Sequence, residues 1–242
     1  MRIAVVSDIH ANLPALEAVI AAAGAVDAWW HCGDVVGYGP HPNEVVARLR
    51  ELGAVGVTGN HDAAALGSPI VEWFNPDAHR AALWTRDVIS AETRGWLVAL
   101  PETLLHEGRT LVHGSPRSPL EENVTTPSAA GAALDLVPGA LCLHGHTHVP
   151  IAWRIGPSGG AAVEVRPTQG RSIDLSEGRF LLNPGSVGQP RDGDRDASFL
   201  LLDLERRTAD WRRVAYPVRE TQDAIRKAGL PDRLASRLGQ GR

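Results

Sequence analysis

The sequence predicts an α/β protein whose sheet is at least partly parallel. Apolar runs alternate with amphipathic stretches over residues 2–58, in the order strand, helix, strand, helix, strand. Strands that alternate with helices favour parallel pairing, because each helix carries the chain back across one face of the sheet. The length and composition fit this class, since 242 residues, 43% of them hydrophobic, can bury the core of one large domain. We therefore expect residues 1–242 to form a single domain.

The first five elements have recognisable boundaries. Strands are predicted at residues 2–7, 28–32 and 54–58, and helices at residues 12–23 and 43–52. Asn12 is a suitable N-cap for the first helix, and Pro14 lies in its first turn. Gly24 and Gly53 follow the two helices, at positions where glycine commonly ends a helix. These signals define a β-α-β-α-β unit.

The pattern changes after this unit. Residues 63–100 are predicted to be helical, with Trp84 and Trp96 at a spacing typical of core residues. Strands of a second sheet are predicted at residues 104–106, 110–113 and 140–144, with a helix near 129–136 between them. Short strands separated by turns follow up to residue 215, and residues 217–238 are predicted to be helical. No repeat or clear linker divides the chain.

Composition narrows the class of protein. No segment is apolar enough to span a membrane, and the apolar run at residues 3–6 is too short for a signal peptide, so we expect a cytoplasmic protein. Cys32 and Cys142 each end an apolar run, where a buried free thiol is expected rather than a disulfide. Residues 205–242 carry ten basic and five acidic side chains, which indicate a solvated face or, alternatively, an anionic partner. Nucleic-acid binding is not indicated.

Five short segments place Asp, Asn and His residues beside glycine or at alternating positions. They are Asp8-Ile9-His10, Gly33-Asp34, Gly59-Asn60-His61-Asp62, His113-Gly114 and Gly145-His146-Thr147-His148. The first three follow predicted strands, at the carboxyl ends where open α/β sheets bind their ligands. The segments supply imidazole nitrogens and carboxyl or amide oxygens, which suit Mn, Fe, Zn or Co. The sequence therefore predicts a two-metal site, an arrangement that clamps phosphate esters.

Individual residues also have simpler explanations. Asp8 and His10 alternate along an extended segment and can converge on one ion only if the chain turns at the strand end. Asp34 is the candidate bridging carboxylate, because Gly33 and Gly37 allow sharp turns on either side of it. Alternatively, Asp34 is an ordinary N-cap or turn residue.

The other segments differ in how specific they are. Asn60 is equally well explained as a turn residue, and Asp62 as a helix cap. His113 has a fair alternative as a hydrogen-bonded core histidine. The Gly145–His148 run is harder to explain by packing, because every buried imidazole needs hydrogen-bond partners. His144 is expected to end a strand and to support the site from behind.

In this order, the five segments closely resemble the calcineurin-like metallophosphoesterase superfamily. The superfamily pattern is D-x-H, G-D-x-x-G, G-N-H-[DE], a lone His, and G-H-x-H, and every element is present between Asp8 and His148. Asn183-Pro184-Gly185-Ser186 resembles a segment that follows in many small bacterial members. Tyr38-Gly39-Pro40 and Gly188-Gln189-Pro190-Arg191 resemble a bacterial phosphodiesterase-like branch, and residues 205–242 lie outside the resemblance.

The resemblance implies a fold and a set of roles. The fold is a four-layer α/β/β/α sandwich of two mixed sheets flanked by helices, with the site at one edge. One ion is held by Asp8, His10, Asp34 and His148, and the other by Asp34, Asn60, His113 and His146. Asp34 bridges the two ions, and a hydroxide between them attacks phosphorus. His61 protonates the leaving oxygen, and Asp62 orients the His61 ring.

The expected cofactors are two divalent or trivalent metal ions. Mn, Fe or Zn is favoured and Co is an alternative, whereas Mg is disfavoured because the site offers four imidazoles. Arg117 and Arg191 are expected on loops that face the site, where a guanidinium suits phosphate oxygens. Tyr38, with Trp73, Phe74 and His79, is predicted to line a leaving-group pocket or to belong to the core.

The predicted function is hydrolysis of a phosphomonoester or phosphodiester. Protein phosphatase and dinucleotide polyphosphatase activity remain open alternatives within the enzymes. The rival from another class is a non-catalytic scaffold of the same fold, and the complete ligand set with His61 argues against it. The sequence does not indicate an oligomeric state.

Overall fold

Twelve β-strands and eight α-helices make up the chain, which a computed structural model describes over residues 1–242. The strands are β1 (Arg2–Val6), β2 (Ala28–His31), β3 (Val55–Gly56), β4 (Thr103–His106), β5 (Arg109–Val112), β6 (Leu141–Leu143), β7 (Ile151–Ile155), β8 (Val163–Val165), β9 (Ile173–Asp174), β10 (Arg179–Asn183), β11 (Ala197–Asp203) and β12 (Thr208–Val214). The helices are α1 (Leu13–Ala23), α2 (Pro42–Glu51), α3 (Asn60–Ala65), α4 (Pro76–Val88), α5 (Ala91–Val98), α6 (Pro127–Asp135), α7 (Val218–Lys227) and α8 (Asp232–Leu238). A 3-10 helix, Pro69–Trp73, precedes α4. None of the helices combines the length and the apolar character needed to cross a membrane.

The strands form two mixed six-stranded sheets. The strand order is β3-β2-β1-β11-β12-β9 in the first sheet and β4-β5-β6-β10-β7-β8 in the second. Strands β1, β2 and β3 are parallel to one another in the first sheet, as are β5, β6 and β10 in the second. The remaining strand pairs are antiparallel, including β1 with β11 and β10 with β7.

The burial of β1 shows how the layers are stacked. Ile3 and Val5 point into a core shared with strands of the second sheet, such as Phe180 of β10. Ala4 and Val6 point to the other face and pack against α1 and α2. All four residues are fully buried, because a strand covered on both faces must be apolar throughout. With α6 packed on the outer face of the second sheet, the α/β/β/α sandwich is confirmed.

Local signals explain most of the helix boundaries. The Asn12 side chain accepts a hydrogen bond from the Ala15 N–H at the start of α1, and Gly24 ends that helix at a φ of 64°. The predicted C-terminal helix over residues 217–238 is two helices. Gly229, at a φ of 72°, ends the first, and Pro231 precedes the second. Cys32 and Cys142 are both buried and free, as expected.

The parallel strands of both sheets bring their carboxyl ends to one edge of the sandwich. The loop after β1 is bonded to the loop after β2, since the Asp8 N–H donates to the Gly33 carbonyl at 3.1 Å. The loop after β6 is bonded to the end of β5 through the Gly145 N–H and the His113 carbonyl at 2.8 Å. This edge therefore collects the polar segments that follow five different strands.

The loops after β2 and β3 approach too closely for a side chain at Gly59. A Cβ there would lie 2.1 Å from Oδ1 of Asp34 and 2.4 Å from its main-chain nitrogen. We expect Gly59→Ala to lower the free energy of unfolding by about 1–3 kcal/mol, the usual cost of overpacking, measured by chemical denaturation. Gly95→Ala is the matched control, because no atom lies within 4 Å of its added Cβ. In the middle of α5 it should raise stability by about 0.5–1 kcal/mol, and equal effects of the two substitutions would contradict the prediction.

Candidate metal centre

All seven predicted metal ligands lie at this edge of the sandwich. Asp8 and His10 follow β1, Asp34 follows β2, Asn60 begins α3 after β3, His113 follows β5, and His146 and His148 follow β6. Six of them are buried, and His146 is partly exposed. The fold therefore brings together side chains from both sheets that are far apart in the sequence.

Left-handed backbone conformations aim these side chains inward. The φ angles of Asp8, His10, Asp34, His146 and His148 are 52°, 49°, 52°, 68° and 60°. Residues other than glycine rarely adopt this region, and such conformations concentrate at functional sites. Residues two apart in an extended strand already share one face, so the turns are not needed to bring Asp8 and His10, or His146 and His148, to the same side. The left-handed turns instead set the direction in which each pair points, toward the centre.

His10 and His148 meet through their Nε2 atoms, which are 3.1 Å apart. Nδ1 of His10 lies 3.1 Å from the Val36 carbonyl, and Nδ1 of His148 lies 2.6 Å from the Gln189 carbonyl. A carbonyl oxygen only accepts, so each Nδ1 carries the proton and each neutral ring presents an Nε2 lone pair. Two lone pairs that face each other at this distance repel unless a cation lies between them.

A carboxylate completes this arrangement of electron-rich atoms. Oδ1 of Asp8 is buried without a hydrogen-bond partner and lies 3.3 Å from Nε2 of His148. One donor atom from each of Asp8, His10, Asp34 and His148 lies within 4.8 Å of the others. We call these four residues the first ligand set. Its buried, unpaired oxygen and its opposed nitrogens fit a bound metal cation.

A second group of side chains surrounds Nε2 of His113. This atom lies 2.9 Å from Oδ1 of Asn60, 3.1 Å from Nδ1 of His146 and 3.4 Å from Oδ2 of Asp34. Nδ1 of His113 lies 2.8 Å from the Cys32 carbonyl, which fixes the ring. We call Asp34, Asn60, His113 and His146 the second ligand set. Oδ2 of Asp34 is also 3.6 Å from Nε2 of His10, so this carboxylate stands between the two sets.

The buried carboxylates and imidazoles of the site shift one another's pKa values. Burial and the Asp34 carboxylate raise the pKa of Asp8 to about 7. Burial lowers the pKa of His113, but Asp34 and Asp8 together outweigh it and raise the value to about 9. Burial opposes ionisation of Asp34 as well, yet His113 and His61 hold its pKa well below the ordinary value. At neutral pH the site therefore keeps a proton on His113.

Metal uptake by the metal-free protein should weaken as the pH falls. A ligand must lose its proton before it binds a cation, so metal competes with the proton on His113 below about pH 9 and with that on Asp8 below about pH 7. Calorimetric titration at pH 8 in buffers of different ionisation enthalpy should detect the release of roughly one proton per protein. A metal affinity that is constant between about pH 9 and about pH 7 would contradict the prediction.

His61 lies beside the first ligand set among aromatic rings. Its ring centroid is 5.0 Å from that of His10, 4.3 Å from that of Tyr38 and 4.5 Å from that of Phe74. Burial lowers the pKa of His61 to about 4, and its Nδ1 has no hydrogen-bond partner. Tyr38 and Phe74 thus line this side of the site, whereas Trp73 is 85% exposed and does not belong to the core.

The Asp62 carboxylate makes no hydrogen bond to the His61 ring, which Asp62 was predicted to orient. Its carboxylate accepts hydrogen bonds from the N–H groups of Val36 and Gly59, each at 2.9 Å. The bond to Gly59 caps α3, which is the simpler explanation that the sequence also allowed. Asp62 acts on the backbone, where it fastens the loop after β2 to the start of the helix that carries His61.

The two predicted phosphate-binding arginines differ in position. Arg117, which was expected to face the site, pairs with Glu122 of its own loop, and its side chain is 53% exposed. Arg191 lies over the Tyr38 ring at 5.9 Å and donates to Gln189 at 2.9 Å. Its positive charge also lowers the pKa values of Asp8 and His61, after the larger effects of burial and other neighbours, which places it beside the centre.

Asn183 and Ser186, for which no role was predicted, hold the ligand loops in place. Asn183 donates to the Gly145 carbonyl at 2.6 Å and thereby anchors the loop that carries His146 and His148. The Ser186 hydroxyl donates to the Asp8 carbonyl at 2.8 Å. The resemblance of the Asn183–Ser186 segment to a segment of the superfamily could have indicated that it belongs to the site. The sequence alone does not show which carbonyls these side chains bond. His144 is fully buried beside this loop, and neither ring nitrogen has a partner.

Comparisons with known proteins agree with the geometry. A calcineurin-like phosphoesterase superfamily domain matches residues 1–207. An uncharacterised protein of Methanocaldococcus jannaschii is 34% identical, over 99% of this chain and 98% of its own length. A crystal structure of a metallophosphoesterase from Sphaerobacter thermophilus is 42% identical, with a TM-score of 0.89 over 100% of this chain and 99% of that one.

A more distant structure is similar to this chain in fold alone. A hypothetical protein of Pyrococcus horikoshii shares 20% identity with a TM-score of 0.80, covering 100% of this chain and 98% of that one. The family match covers every candidate ligand, and the two relatives above 30% identity span almost the whole chain. The chain therefore belongs to the calcineurin-like phosphoesterase superfamily and is a phosphate-ester hydrolase.

Proposed function

We propose that this chain is a dinuclear metal-dependent phosphoesterase that hydrolyses a phosphomonoester or a phosphodiester. The observation that carries the proposal is the convergence of the first and second ligand sets on the shared carboxylate of Asp34. In this proposal the first ligand set holds one ion and the second ligand set holds the other. The opposed Nε2 atoms of His10 and His148 support it, because they need a cation between them.

When bound, two divalent ions supply Lewis-acid chemistry, since they make a water molecule nucleophilic at neutral pH and neutralise charge on phosphoryl oxygens. The protein fixes where this chemistry takes place. Backbone carbonyls of Val36, Cys32 and Gln189 hold three of the imidazoles by their Nδ1 atoms, so the Nε2 atoms stay directed inward. Because the site is buried, charges within it interact more strongly than they do in water.

We assign proton donation to the leaving oxygen to His61. In the substrate-free site the His61 ring is neutral at pH 7, because burial lowers its pKa to about 4. An anionic phosphate beside the ring favours the protonated form, so substrate binding raises this pKa toward the working pH. Arg191 and Tyr38, which lie on the same side of the centre, are placed to bind the phosphate and the leaving group.

The donor set favours Mn, Fe or Zn over Mg, because Mg prefers oxygen ligands and water. We keep the cytoplasm as the proposed location, which agrees with two buried free thiols. We also propose that residues 1–242 act as one domain, since ligands come from both sheets.

The test is a turnover assay of the purified protein after removal and re-addition of metal. Nitrophenyl and alkyl esters, each as mono- and diester, are assayed with Mn, Zn, Fe and Mg in turn, and metal content is measured in parallel. We expect hydrolysis with Mn, Zn or Fe, little with Mg, and none without metal. Two bound metals with no turnover of any ester would favour the non-catalytic scaffold instead.

A further inference from the structure

A polar cavity of about 690 Å³ lies between the start of α4 and the C-terminal helix α8. Asn75 and Asp77 line it from α4, and Arg233, Arg237 and Arg242 line it from the other side. Three guanidinium groups therefore face one side-chain carboxylate, that of Asp77. Such a balance suits an anionic ligand. All three arginines lie beyond residue 207, where the family match ends.

The cavity adjoins the His61 side of the candidate metal centre. Asn75 directly follows Phe74, whose ring packs against the His61 ring at 4.5 Å. On the other wall, Leu234 of α8 packs in the same apolar cluster as Tyr38, and the Tyr38 ring is 4.3 Å from that of His61. Both walls of the cavity thus lie next to residues whose rings pack against His61.

The loop that carries Arg191 is fastened to the C-terminal segment. The Gly193 N–H donates to the Gly241 carbonyl at 3.0 Å, and Arg237 Nε donates to the main-chain oxygen of Arg242 at 2.5 Å. Nε of Arg191 is buried without a hydrogen-bond partner. Arg191 therefore lies beside the metal centre, on a loop bonded to the C-terminal segment that lines the cavity, and it has donor capacity that the protein leaves unused.

Arg237 is the half-buried member of the cluster, whereas Arg233 and Arg242 are exposed. Burial lowers the pKa of Arg237, and the positive charges of Arg191 and Arg233 lower it further. These guanidinium groups are close enough to repel one another. An anion bound among them would relieve that repulsion, and its charge-assisted hydrogen bonds would be shorter and stronger than neutral ones.

We propose that the substrate is a phosphate ester whose leaving group carries a second anionic group, and that this cavity binds the second group through Arg237 with support from Arg233. The inference rests on the proposed function, in which the scissile phosphate lies at the metal centre and the leaving group points toward His61. Arg191, between the two positions, contacts the connecting part of the substrate. Simple esters with uncharged leaving groups then lose the contribution of the cavity.

The test is calorimetric binding of two non-hydrolysable probes to the metal-loaded protein. Alkane bisphosphonates of four, six and eight carbons are compared with alkyl monophosphonates of equal length. Several lengths are used because only a chain of suitable length can place one phosphonate at the metal centre and the other in the cavity. The wild type should bind the best bisphosphonate about tenfold more tightly than its monophosphonate, the size of one partly exposed charge-assisted contact. Arg237→Gln should remove this preference, and Arg237→Lys should restore part of it.

Arg219→Gln is the matched control, because Arg219 is an exposed arginine in the same C-terminal segment with no hydrogen bond or ion pair. It should keep the full preference for the bisphosphonate. Equal binding of both probes by the wild type, or a preference that survives in Arg237→Gln, would overturn the inference. Thermal unfolding of each variant shows whether it is folded.

Hydrolysis of nitrophenyl esters is measured separately, so that the two proposals fail in different ways. Turnover without a preference for the bisphosphonate would contradict the second-anion site and leave the proposed function standing. A preference that depends on Arg237, in a protein that hydrolyses no ester with any metal, would support the anion site and contradict the proposed function.

Discussion

Asp34→Asn is expected to abolish turnover and to remove tightly bound metal from both ligand sets. Its Oδ2 lies 3.6 Å from Nε2 of His10 and 3.4 Å from Nε2 of His113, one histidine from each set. An amide has no negative charge to offset two cations that share one ligand. Loss of a residue that only supports a metal ligand typically costs 10–100-fold in metal affinity, so loss of a shared ligand should cost on the order of 100-fold or more.

Elemental analysis after gel filtration measures the metal content, and the ester assay measures the turnover. Asp87→Asn is the control, because it makes the same chemical change on a side chain that is 74% exposed on α4. Retention of two tightly bound metals in Asp34→Asn and Asp34→Ala would contradict the bridging role. Loss of one metal alone would place Asp34 in a single ligand set.

His61→Ala is expected to leave the metal content near normal while slowing hydrolysis, by about 10²–10⁴-fold for an alkyl ester. The loss should be smaller for a nitrophenyl ester, because nitrophenolate leaves without protonation whereas an alkoxide must receive a proton as it departs. The ratio of kcat/KM for the two esters in wild type and variant reports this difference in transition-state stabilisation.

His106→Ala provides a matched control, because His106 lies on β4, makes no side-chain hydrogen bond and pairs with Arg109, at the end of the β4–β5 pair away from His113. It should slow neither ester. An equal loss on both esters in His61→Ala, with metals intact, would contradict proton donation by His61. It would instead indicate a packing role against Tyr38 and Phe74.

The ligand positions were predictable because they depend on topology. A sequence that alternates strands with helices must place the residues after its parallel strands at one edge, and Asp8, Asp34 and Asn60 lie there. Strand β3 shows the limit, since only Val55–Gly56 pair where five residues were predicted. Hydrophobicity over residues 54–58 indicated burial, and burial alone does not determine how many residues find a partner strand.

The roles that depend on side-chain direction were less predictable. The resemblance assigned Asp62 to the site, and Arg117 was assigned there from its place in the chain. Both side chains bond elsewhere, to backbone N–H groups and to Glu122. The position of a residue along the chain does not show which groups its side chain will hydrogen-bond, and its role depends on those partners. The same limit hid the bond from Asn183 to the Gly145 carbonyl, which joins segments 38 residues apart.

The pairing of β1 with β11 has a consequence for how the protein is made. Arg2 of β1 lies opposite Asp203 of β11, so one neighbour of this strand is synthesised about two hundred residues after it. At 5–20 residues per second, that delay lasts roughly 10–40 s on the ribosome. Until then the apolar segment Ile3–Val6 has an unpaired edge, which is the kind of surface on which nascent chains aggregate. The yield of folded protein would then depend more on whether a chaperone protects this edge than on the stability of the finished sheet.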